Sequence, residues 1–127
     1  MKDIEINTLI RNYIDAYNTF DVDGMIKLLD EEVEFLNISK GIVDTETKGI
    51  DQFRELAKQS LKIFTQRRQT ITQIITHDDR TEIEVDYEGT LATDLPNGLK
   101  AGETIKLKGK SIFRMKNNKL IMIEDYS

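Results

Sequence analysis

The sequence predicts an α+β domain, with helices in its first half and an antiparallel sheet built mainly from its second. Two observations carry this expectation. Apolar residues recur every three or four positions in two long segments before residue 65, and from Thr65 onward the apolar period becomes two. Turn-forming residues then divide the second half into consecutive strands, which favours a meander covered by helices on one face. There is one proline, Pro96, no internal repeat and no linker, so one domain over residues 1–127 is expected.

Residues 4–20 read as the first helix: Ile6, Ile10, Tyr13, Tyr17 and Phe20 share a face, with Leu9 and Ile14 beside them. The pattern breaks at Phe20–Gly24, where Asp21 or Asp23 can cap a short second helix carrying Met25, Ile26, Leu28 and Leu29. Residues 32–39 alternate as a strand, with Phe35, Asn37 and Ser39 on one face. Residues 40–48 read as a loop or short strand. A third helix over about 50–64 carries Ile50, Phe53, Leu56, Ala57, Leu61 and Phe64 as its apolar stripe. Strands follow at about 66–76, 80–94, 103–116 and 119–127. The turn between the last two is Lys116-Asn117-Asn118-Lys119, where asparagine tolerates positive φ.

Alternation assigns the faces. Ile83, Val85 and Tyr87 should point toward the helices, as should Ile105, Leu107, Gly109, Ser111, Phe113 and Met115. Glu82, Glu84, Asp86 and Glu88 then form an outward acidic row beside the outward Lys106, Lys108 and Lys110. Adjacent rows of opposite sign fit charge pairing across strands better than an anion-binding stripe. On the last strand, an inward Ile121 and Ile123 put Asp125 on the same inner face. A carboxylate there is costly unless wet or paired. It is therefore either one of the polar minority lining a ligand cavity, or a residue solvated near the chain end.

Composition excludes several classes. With 18 Lys plus Arg against 23 Asp plus Glu, the formal charge is −5, which disfavours a nucleic-acid partner. No cysteine and a single histidine argue against disulfides, thiol chemistry and structural zinc. No apolar run approaches a membrane span, and MKDIEIN lacks a signal-peptide core, so no membrane association and a cytoplasmic location are expected. His77 falls at a turn beside Asp78 and Asp79 and reads as solvated rather than as a general base.

The whole of 4–127 resembles the nuclear transport factor 2-like superfamily, which includes ketosteroid isomerases and SnoaL-like polyketide cyclases. The resemblance is carried by Ile10–Gly24 (IRNYIDAYNTFDVDG), Leu28–Phe35 (LLDEEVEF), Lys48–Phe53 (KGIDQF), Ser111–Met115 (SIFRM) and Lys119–Asp125 (KLIMIED). It implies a cystatin-like cone: a strongly curved antiparallel sheet wrapped around three helices, with a pocket at the open end. It also implies a homodimer through the outer sheet face, where the charged rows could pair between subunits. In ketosteroid isomerases a helix-one tyrosine and a protonated aspartic acid bind an oxyanion while an aspartate moves the proton. Those positions fall on Tyr13, Ser111 and Asn37, so only the tyrosine is kept and that activity is not expected. In SnoaL-like cyclases an aspartate of the last strand is the acid/base, and Asp125 falls near it.

Three functions follow as expectations. The first is a SnoaL-like domain binding a small, mainly apolar molecule, with Tyr17, Asn37, Phe35, Phe53, Tyr87, Ser111, Phe113 and Ile123 around it. The second is an isomerase, cyclase or lyase acting on a carbonyl compound, with Asp125 and Tyr13 catalytic and no metal or organic cofactor. The third is an association domain using the outer sheet face.

Overall fold

A computed structural model describes residues 2–127. The elements are α1 (Asp3–Asn18), α2 (Val22–Ile26), β1 (Leu29–Ser39), β2 (Ile42–Lys48), α3 (Ile50–Ser60), β3 (Phe64–Thr76), β4 (Thr81–Leu91), β5 (Thr104–Lys116) and β6 (Lys119–Tyr126). They form the expected α+β fold: three helices against a curved, unclosed sheet in the order β2-β1-β6-β5-β4-β3. The meander β3-β4-β5-β6 is antiparallel throughout. The sheet is not wholly antiparallel, however, because β6, the last strand of that meander, pairs parallel to β1 along its other edge. Among the described residues no helix is long and apolar enough to cross a membrane.

Local chemistry sets the boundaries. Asp21 caps α2 by accepting a hydrogen bond from the Gly24 amide at 2.9 Å, and a Cβ at Gly24 would collide with that carboxylate. Asn117 and Asn118 take φ values of 53° and 66°, as the β5–β6 hairpin turn requires. The segment 40–48 contains a strand, β2, paired antiparallel to β1. Helix α3 stops at Ser60, short of the expected 64. Phe64 instead opens β3, where its ring lies against Gly89 so closely that a Cβ there would clash, and edge-on to Tyr87 at 6.1 Å. Helical periodicity continued to Phe64 because that side chain faces the same core from a strand.

The core joins α1, α2 and α3 to the inner sheet face through Ile10, Leu29, Val33, Ile83, Phe113 and Ile123, all at most 2 % exposed. Tyr13 meets Phe113 edge-on at 5.9 Å between centroids. A register shift between Arg114 and Met115 buries Leu120 rather than the expected Ile121, yet Ile123 and Asp125 keep inward parity. Lys106, Lys108 and Lys110 are exposed as expected. Leu107 is also exposed, at 41 %, against the expectation that it is buried. Its parity was read correctly, since it lines the concave side, but this end of β5 extends beyond the helices that would cover it.

Phe113→Ala should therefore destabilise the fold by about 3–5 kcal/mol. Lys108→Ala should cost under about 0.5 kcal/mol and Leu107→Ala under about 1 kcal/mol. Urea denaturation of the three variants checks this; a Leu107 cost approaching that of Phe113 would contradict the rim position.

Candidate active site

Pairing β6 between β1 and β5 aligns one row of residues across the sheet. Asn37 lies opposite Asp125 across the parallel pair, Asp125 opposite Ser111, and Ser111 opposite the buried Ile83. Asp125 thus points inward. Ser111, 4 % exposed, donates its hydroxyl to Asp125 Oδ1 at 2.7 Å. Burial lifts the Asp125 carboxyl to about 6, and the Ser111 hydrogen bond opposes that rise by favouring the ionised form. No protein donor among the described residues reaches Asp125 Oδ2.

The row forms part of the wall of a cavity of about 410 Å³ at the end of the cone, where the sheet outgrows the helices. Tyr13, Tyr17, Phe35, Phe53, Asn37, Tyr87, Ser111 and Asp125, read from the sequence as site residues, all line it. Phe113 and Ile123 do not: at 1 % and 0 % exposure they lie in the core and present no surface to a ligand. Phe35 and Phe53 meet edge-on at 5.9 Å and close the β1–α3 side. Tyr13 is buried, and its hydroxyl is pushed up by desolvation first, then by the Asp125 charge, with Arg67 opposing. It remains a protonated donor at neutral pH.

A second polar group stands across the cavity. The Tyr17 and Tyr87 hydroxyls are 2.9 Å apart. Behind them lies Arg67, 5 % exposed, which sequence reasoning missed. Its guanidinium carbon sits 3.7 Å from the Tyr17 ring centre and 4.6 Å from that of Phe20. Its Nε donates to the Tyr17 carbonyl at 2.9 Å and a terminal nitrogen to Ser60 Oγ at 3.2 Å. No carboxylate among the described residues pairs with it. Parity was the available signal: Arg67, Gln69 and Ile71 alternate inward, while Arg68 and Thr70 are exposed. Either hydroxyl can donate to the other. Desolvation above all pushes both up, with Arg67 opposing, so both stay protonated at neutral pH and one of the two protons is left for the cavity.

Asn37 lines the cavity but is not hydrogen-bonded to Asp125; its Nδ2 donates to Asp44 Oδ1 at 2.9 Å. His77 is on the β3–β4 turn, its Nε2 3.6 Å from Glu82 Oε1 and remote from the cavity lining. Among the described residues no cluster of three metal-ligating side chains occurs.

Residues 10–122 match the family model of the SnoaL-like domain. The chain belongs to this family. Among solved structures, a candidate SnoaL-like polyketide cyclase from Jannaschia sp. CCS1 superposes with a TM-score of 0.81 at 10% identity, over 96% of this chain and 84% of the other. A candidate polyketide cyclase from Xanthomonas campestris pv. campestris gives 0.78 at 21% identity, over 97% and 90%. A ketosteroid isomerase-like protein from Catenulispora acidiphila DSM 44928, solved with trimethylamine, gives 0.76 at 14% identity, over 94% and 84%. At these identities the likeness establishes the nuclear transport factor 2-like, ketosteroid isomerase-like fold. No protein of curated function matches in sequence.

The raised Asp125 carboxyl makes stability pH-dependent. Below about pH 4 it is protonated in folded and unfolded chains alike. Between about 4 and 6 only the unfolded chain ionises, so stability falls as pH rises, and above about 6 the full cost persists. Asp125→Asn keeps an acceptor for Ser111 and removes the charge. Its stability gain should be small near about pH 3.5 and reach about 1–3 kcal/mol by about pH 8. Thermal unfolding of both proteins across this range checks it; a gain independent of pH would contradict a buried, shifted carboxyl.

Proposed function

We propose that the protein binds a small, mainly apolar carbonyl compound in the cone cavity and moves a proton on it, with Asp125 as acid/base. The observation that supports this best is an inward carboxyl titrating near neutrality, held at one oxygen by Ser111 and turned to a cavity with mainly apolar walls. Ionised Asp125 takes a proton from a carbon next to the carbonyl. The C–H electron pair moves into the enolate, whose oxygen accepts hydrogen bonds from Tyr87 or Tyr13. Protonated Asp125 returns the proton, at another carbon for an isomerisation, or to a leaving or ring-closing oxygen for a lyase or cyclase. Such a step needs a proton acceptor and fixed donors and calls on no cofactor.

Hydrogen exchange at the acidic carbons of cyclic ketones in D2O, followed by NMR, tests this reading with simple ketones in place of the natural substrate. Exchange should be catalysed, rise with pH through about 6 as Asp125 ionises, and fall at least about 100-fold in Asp125→Asn. Equal exchange by the two proteins across the pH range would refute Asp125 as the base.

We further propose a homodimer through the outer sheet face. The supporting feature is apolar rather than ionic. Glu84, Asp86 and Glu88 lie opposite Lys110, Lys108 and Lys106 within one chain, and Lys108 Nζ is 3.5 Å from Asp86, so those rows are matched internally. Leu36, Ile38, Ile112 and Met122, of opposite parity to the inward residues of β1, β5 and β6, are instead half-buried apolar residues on the outer face, interspersed with Glu34, Glu124 and Arg114. Sedimentation at low micromolar concentration should give twice the chain mass, and Ile38→Glu should give a folded monomer. A monomeric wild type would end this proposal.

A further inference from the structure

The sequence pattern offers Asn37 to the cavity as a hydrogen-bond donor, but its amide is held the other way round. A register shift between Asn37 and Ile38 leaves Asp44 unpaired in the β1–β2 ladder, with Thr45 opposite Asn37 and Val43 opposite Ile38. Such an irregularity re-aims a side chain that strict alternation would send to the opposite face. Asp44 accordingly accepts from Asn37 Nδ2 at 2.9 Å through Oδ1 and from the Ser39 hydroxyl at 2.9 Å through Oδ2. The Ser39 oxygen also lies 3.5 Å from Asn37 Nδ2 and 3.3 Å from Ser127 Oγ.

The orientation follows from donor chemistry. An ionised carboxylate can only accept, so the amide nitrogen of Asn37 must face Asp44 and the amide oxygen must face away. These hydrogen bonds, that from Asn37 foremost, hold the Asp44 carboxyl below its usual range, so it is ionised around neutral pH and the constraint holds there. Asn37 lines the cavity and is the cross-strand neighbour of Asp125, about 5 Å away along the hydrogen-bonding direction.

We propose that Asp44 locks Asn37 as a hydrogen-bond acceptor toward the cavity, so that the site selects ligands carrying a hydroxyl or N–H donor beside the atom that exchanges a proton with Asp125. The proposal rests on the reading of the cavity as a small-molecule site and narrows its ligands to hydroxylated or amino carbonyl compounds. Asn37 is a specificity-determining residue in this arrangement, and Asp44 a positioning residue that acts through it. The spacing of about 5 Å between neighbouring strands fits a donor two or three bonds from the reacting atom, as in a β-hydroxy ketone. A simple ketone satisfies the tyrosine hydroxyls but leaves the Asn37 oxygen unpaired once it displaces water there, which costs affinity.

Matched probes test this. 1-Naphthol and 1-methoxynaphthalene share a ring system, and only the first donates a hydrogen bond; naphthalene is the apolar reference. Titrations monitored by fluorescence should show wild type preferring naphthol over the methoxy compound by about threefold to tenfold, the worth of one net hydrogen bond. The preference should be the same at about pH 5 and about pH 8, either side of the Asp125 titration. It should disappear in Asn37→Leu and shrink to below about twofold in Asp44→Ala, where the amide is free to turn. Asp44 is exposed, so this variant should fold normally. In 1H–15N spectra the Asn37 side-chain amide protons, assigned by their loss in Asn37→Leu, should move upfield in Asp44→Ala. A preference that survives Asn37→Leu, or that appears only when Asp125 is ionised, belongs to Asp125 and overturns the assignment. Equal binding of all three probes overturns it while leaving the cavity as a ligand site. If none binds, the cavity reading and this inference fall together.

Discussion

The site depends on β6 lying parallel to β1. β6, the last strand of the meander, joins it to the β1–β2 hairpin along its other edge. That pairing brings Asn37 of the distant β1 into one row with Asp125 and Ser111 of the β5–β6 hairpin. It is also a long-range contact whose loop-closure cost must be met by burial. Leu29, Val33, Leu120 and Ile123, all at most 2 % exposed, supply that burial at the same seam. The core and the polar row are two sections of one interface, and the transition between them marks where the helices stop.

Placing a carboxyl there costs stability. A sheet of this size would be more stable with a neutral residue at 125, because each unit of upward shift reports a cost of about 1.4 kcal/mol to the ionised folded state. Ser111 limits the cost without cancelling it: one neutral hydroxyl stabilises the anion, whereas a lysine or arginine partner would return the carboxyl to its ordinary range. In the proposed reaction the shift toward neutrality is what lets the group both take and return a proton.

Much of this was legible in the sequence, because period-two alternation is a strong signal wherever one face is buried. Ile83, Val85, Ser111, Phe113 and Asp125 all kept their predicted parity. What the sequence hid were departures from regularity. The shift at Met115 exchanged Leu120 for Ile121, and the shift after Asn37 turned Asp44 toward it. Burial also failed where it depends on the length of a neighbouring element: Leu107 points inward but has no helix above it, while Phe113 and Ile123 have too much cover to meet a ligand. Arg67 escaped notice because a lone arginine in a polar strand reads as surface, and only its contacts with Tyr17 and Phe20 show otherwise.

Arg67 also orients the electrostatics of the cavity. Tyr13, Tyr17 and Tyr87 each feel two opposed influences, Asp125 holding their protons on and Arg67 favouring their release. A ligand among these hydroxyls enters a field with its negative pole at the β6 wall and its positive pole behind α1 and β3. Negative charge developing on a ligand oxygen is stabilised toward Tyr17 and Tyr87 and opposed toward ionised Asp125. In the proposed reaction this field favours a pose with the acidic C–H toward Asp125 and the carbonyl oxygen toward the tyrosine hydroxyls. A cation without a carboxylate partner is costly to bury, and here aromatic rings and neutral oxygens meet that cost in part. Pairing it with a carboxylate would remove the penalty and also the field.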